Sequence, residues 1–120
     1  MIEGQKPKQY DLEERTLQFA KQVVGFCRGL PKTVANGEIG KQLIRAATSV
    51  GANYIEASES LSKKDFLMRI KICRKEAKES GYWLKLVEMN KGDLHKESEV
   101  LLQESVELMK IFGAIVSKSQ

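Results

Sequence analysis

The sequence predicts an all-α protein, an antiparallel up-and-down four-helix bundle, and three observations carry that prediction. Apolar residues recur at spacings of three and four along four segments of the 120-residue chain. Short stretches containing Gly, Ser, Asn or Pro separate these segments, as in tight connections between antiparallel neighbours. Aromatic and β-branched residues form no alternating runs of strand type, and the two prolines, Pro7 and Pro31, interrupt no long periodic segment. With 42% apolar residues, residues 10–120 are expected to bury one core as a single domain.

Residues 1–9 are polar and offer little to pack, so a flexible N-terminus is expected. The first helix has a capping-box pattern at its start, Asp11 followed three residues later by Glu14. Leu12, Phe19, Val23, Phe26 and Leu30 lie on one face of it, and Gly29 and Pro31 end it.

The second helix is expected from Glu38 to about Glu59, with Asn36 as its cap. Ile39, Leu43, Ala46, Val50, Tyr54 and Ala57 form its apolar arc. Arg45, Ser49, Asn53 and Glu56 form a polar stripe beside that arc, because spacings of four, four and three keep them nearly in line at about 100° per residue. Polar groups at the edge of a buried surface need partners, so this stripe is read as structural. Ala46, Ala47, Gly51 and Ala52 keep the helix thin and suit close approach by a neighbour.

The third helix is expected from Lys63 to Asn90, opened by a second capping-box pattern at Ser62 and Asp65. Phe66, Ile70, Cys73, Ala77 and Leu84 form a core stripe. Met68, Ile72, Trp83 and Leu86 form a second stripe, which reads as a contact with another subunit, since monomers rarely leave such a line wet. Between the two, Lys64, Lys71, Arg74, Lys75, Lys78 and Lys85 fall within an arc of about 100° and make a basic ridge. No aromatic residue is expected among them. In the fourth helix, running to about Ser117, Leu94, Leu101, Leu108 and Ile115 repeat every seven residues beside Ser98, Ser105 and Phe112.

The net charge of +4 is unevenly spread. Residues 62–92 carry nine Lys or Arg against four Asp or Glu, residues 93–120 carry three against five, and residues 1–61 carry eight against seven. The positive excess therefore belongs to the third helix. Lys and Arg at reachable spacing are sufficient for phosphate contact, which makes these six residues the candidate nucleic-acid-binding set.

Little points to catalysis. His95 is the only histidine and sits among charged residues, Cys27 and Cys73 lack metal-ligand or CxxC spacing, and no glycine-rich phosphate loop occurs. Arg45 with Glu56 would be the one ionic pair to weigh, and a structural role fits it better. No apolar run approaches the roughly 20 residues needed to span a bilayer. A cytoplasmic protein with no cofactor, no metal and no enzymatic activity is expected.

The run Gln-Leu-Ile-Arg-Ala-Ala-Thr-Ser-Val-Gly-Ala-Asn-Tyr-Ile-Glu-Ala over residues 42–57, then Asp65-Phe66, then Glu-Ala-Lys-Glu-Ser-Gly-Tyr-Trp-Leu over residues 76–84, resembles a known family. These are the four-helix bundle proteins encoded in 23S rRNA intervening sequences, to which the accessory variability proteins of diversity-generating retroelements are related. The resemblance spans about residues 10–117. It implies a homopentameric ring or barrel with a basic surface, which in the retroelement branch engages a reverse transcriptase and nucleic acid. It names no settled activity. Two readings follow: an oligomeric, non-enzymatic RNA- or DNA-binding accessory protein, or a homo-oligomeric scaffold whose ligand is another protein.

Overall fold

The computed structural model describes residues 11–90 and 92–120, which form four helices: α1 (Leu12–Arg28), α2 (Val34–Ser58), α3 (Lys63–Leu86) and α4 (Asp93–Ser119). Among the described residues there is no strand. The flexible terminus expected for residues 1–9 lies outside them. Cross-helix pairs fix the directions. Asn53 meets Arg69 while Arg45 meets Glu76, so α2 and α3 run antiparallel. Gly81 lies against Ser105 while Gly113 lies against Arg74, so α3 and α4 do likewise. The helices pack in chain order, α1 on α2, α2 on α3 and α3 on α4, whereas α1 and α4 meet sparsely.

Four apolar faces converge on one core, in which Phe19, Phe26 and Phe112 are the largest fully buried side chains. Tyr54 packs on Phe112 with ring centroids 6.0 Å apart. Small residues set the helix spacing. A Cβ added at Gly51 would stand 3.0 Å from Thr16 Oγ1, and one added at Gly81 would stand 3.0 Å from Ser105 Oγ. These two glycines let α1 approach α2 and α4 approach α3 more closely than any side chain would permit.

Three local expectations are corrected. Asp11 makes no side-chain cap to α1, and the first-turn acids Glu13 and Glu14 meet the positive helix end instead. The second helix begins at Val34 rather than Glu38, because Thr33 caps it by accepting the Asn36 amide at 3.0 Å. The third helix stops at Leu86 rather than Asn90. Both of the last two errors trace to Asn36, which is buried and spends its side chain on the far loop. Its Oδ1 accepts the Glu88 amide at 2.8 Å, and its Nδ2 donates to the Glu88 carbonyl at 2.8 Å and to the Pro31 carbonyl at 3.0 Å. An amide claimed in this way cannot continue the α3 hydrogen-bond ladder. Ser62 does cap α3, accepting from the Asp65 amide at 3.1 Å.

Candidate nucleic-acid interface

α3 is seated between α2 and α4, so one side of it must face outward. Its core side carries Ile70, Cys73, Ala77, Ser80, Gly81 and Leu84. The residues about half a turn away on the same helix are therefore solvent-facing, and Lys64, Lys71, Arg74, Lys75, Lys78 and Lys85 are all exposed. Arg74 lies nearest α4, its Cδ 3.6 Å from where a Cβ would stand on Gly113. Three cations elsewhere in the molecule are ion-paired: Arg15 bonds Glu104 at 2.7 Å, Lys41 meets Glu38 at 3.8 Å, and Arg45 pairs with Glu76 and Glu79. Among the described residues none of the six ridge cations forms a salt bridge, and Lys75 alone is close enough to a carboxylate, Glu79, to act on it electrostatically.

The second stripe of α3 divides. Met68 and Leu86 are 48% and 43% exposed, while Ile72 and Trp83 are half-buried on the side toward α2. The Trp83 indole N–H donates to Glu79 at 3.0 Å, and Glu79 also receives the Arg45 guanidinium, so a hydrogen-bonded chain runs from α2 to the indole. That indole hydrogen bond holds the Glu79 carboxyl below its ordinary range, with Arg45 and Lys75 adding to the effect and partial burial opposing it.

Sequence reasoning missed an aromatic residue on the ridge. Tyr82 is 58% exposed and stands four residues after Lys78 and three before Lys85, within the basic arc. Its ring meets Trp83 edge-on, centroids 5.0 Å apart and planes at 70°. The heptad-like spacing of positions 71, 75, 78, 82 and 85 was the available signal.

The polar stripe of α2 turns toward α3. Arg45 Nη1 reaches the buried Glu76 at 3.3 Å; Asn53 donates to the Ser49 carbonyl and hydroxyl at 2.9 Å each and accepts from Arg69 at 2.9 Å. Arg69 and Glu76 are the α3 partners that the sequence pattern of α2 alone does not reveal. Glu56 is corrected: it is exposed, and it takes no part in this network.

Burial pushes the thiols of Cys27 and Cys73 up to about 11 and about 12, which keeps both protonated and unreactive at neutral pH. His95 is exposed. Among the described residues no group of three His, Cys, Asp or Glu side chains could hold a metal ion. A groove of about 1160 Å³ between α1 and α4 is lined by Asp11, Glu14, Glu99, Glu104 and Glu107 together with Arg15 and Lys96, so its charge is negative on balance and disfavours phosphate. No described helix is long and apolar enough to cross a membrane.

Fold and surface together define an all-α four-helix bundle whose outer helix face is basic. Within that class, the chain belongs to the 23S rRNA-intervening sequence protein family, whose model matches residues 8–114. It is similar to a crystal structure of a protein with unknown function from the S23 ribosomal protein family of Bacteroides thetaiotaomicron VPI-5482. The two share 28% identity at a TM-score of 0.76, over 92% of this chain and 99% of that one. No curated protein matches the chain.

Proposed function

We propose that this protein is a non-enzymatic accessory factor that holds RNA or DNA by its phosphates along the α3 ridge and works as a self-associated assembly. The observation that carries the reading is the clustering of six exposed cations within one arc of α3, none of them in a salt bridge among the described residues. Cations without protein partners are free to replace the counterions of a phosphate chain. Self-association is supported by Met68 and Leu86, two large apolar side chains left exposed beside the ridge, together with Ile55 on α2 at 47%.

Charge reversal of Lys71, Lys75 and Lys78 to Glu tests the phosphate contacts. The parent binds mixed-sequence nucleic acid at about 50 mM salt and loses affinity steeply as salt rises. The triple variant keeps its helical circular dichroism and loses binding. Retention of binding by that variant, or no binding by the parent at low salt, overturns the reading in favour of a scaffold whose ligand is another protein.

A further inference from the structure

The ridge contains one group that phosphate binding does not need. A lattice of phosphates is held by charge alone, yet Tyr82 stands between Lys78 and Lys85 with more than half its surface in water. Within the basic arc of α3 Tyr82 is the one aromatic side chain. It is also not loose. Trp83 braces the ring edge-on at 5.0 Å, and Trp83 is itself fixed by the hydrogen bond to Glu79 and, through it, by Arg45 of α2. The Tyr82 ring is thus held against Trp83 while more than half exposed to water, flanked along the helix by Lys75 and Lys78 on one side and Lys85 on the other.

From this we infer that Tyr82 is a stacking platform for one nucleobase, and that the preferred ligand of the ridge is therefore single-stranded nucleic acid rather than a duplex. The inference rests on the phosphate-binding reading above and adds the strandedness of the ligand. In a duplex each base is already stacked and its face is inaccessible to a side chain on a convex surface. An unpaired base can leave its neighbours and lie on an aromatic ring while its phosphates meet the adjacent lysines. Every base has a π face, so the contact selects strandedness and not sequence.

The test compares labelled oligouridylate of about 12 nucleotides with an RNA duplex of the same length, at salt low enough for phosphate contacts to hold. The parent binds the single strand more tightly than the duplex. Tyr82→Leu weakens single-strand binding by between about 5-fold and about 150-fold, leaves duplex binding and the salt slope unchanged, and removes the preference. Tyr82→Phe keeps the ring and binds as the parent does. Trp83 is the only tryptophan, and its emission reports on the neighbouring ring: unlabelled oligouridylate shifts it in the parent and in Tyr82→Phe but not in Tyr82→Leu. Equal affinity of the parent for the two ligands, or equal loss of both in Tyr82→Leu, overturns the platform while the ridge reading stands. A parent that binds neither ligand overturns both.

Discussion

Asn53 shows how much one side chain on α2 holds. It links Ser49 within its own helix to Arg69 on α3, so truncation leaves a partly buried guanidinium and a serine hydroxyl without their partner. Asn53→Ala is expected to lower stability by about 1–3 kcal/mol, whereas Glu56→Ala, at an exposed position, stays within about 0.5 kcal/mol of the parent. Urea melts of the two variants separate these outcomes, and equal midpoints would refute the assignment. Glu79 adds a dependence on pH. Its carboxyl is held below the ordinary 4.5 by the Trp83 indole and the cations around it. A folded value below the unfolded one gives stabilisation that is complete above about pH 4.5 and is lost as pH falls through the folded value. Glu79→Gln should therefore narrow the gap in melting temperature between neutral and acidic buffer, and a gap of unchanged width would mean that Glu79 does not contribute. How much of this was legible differs by residue. The line of Arg45, Ser49 and Asn53 followed from spacing, but their partners Arg69 and Glu76 sit on another helix whose register spacing within α2 does not contain.

At the scale of the element, helix ends were harder to read than helix faces. The apolar faces of all four helices follow from a period of 3.6, which local sequence encodes directly. The start of α2 and the end of α3 were misplaced because Asn36 looks like a cap and acts as a bridge to Glu88, 52 residues away. Helix contact also depends on glycine in a way that spacing hints at only weakly. Gly81 abuts Ser105 and Leu102 on α4, while Gly25 on α1 faces open space. Gly81→Val should force α3 and α4 apart at a cost of about 1–3 kcal/mol. Gly25→Ala should stabilise by about 0.5–1 kcal/mol, since it adds helix propensity and meets nothing. Thermal melts that gave the two substitutions the same sign would contradict this account of the interhelical contact.

The whole molecule is polarised in charge and in cohesion. α3 carries the positive face, and the α1–α4 groove carries the negative one, so any polyanion is steered to a single side. Cohesion is greatest around α2 and α3, each of which packs against two neighbours. α1 is seated mainly on α2, and the Arg15–Glu104 pair spans its open seam with α4. Local opening begins where packing is thinnest, so amide hydrogen exchange is expected to be faster along α1 than along the core face of α3. The same protection in both helices would show that the bundle opens only as one unit.

The sequence by itself determined the number of helices, their apolar faces, the basic face of α3 and the family, because each of these is written in residues close together in the chain. Tertiary structure alone decided which polar groups meet, where α2 begins and α3 ends, and that Trp83, bonded to Glu79, holds the exposed Tyr82 ring. Those outcomes depend on the register between helices. Register is set by the joint fit of all four apolar faces and by the glycines that let backbones touch, and periodicity within one helix carries no information about its neighbour's phase.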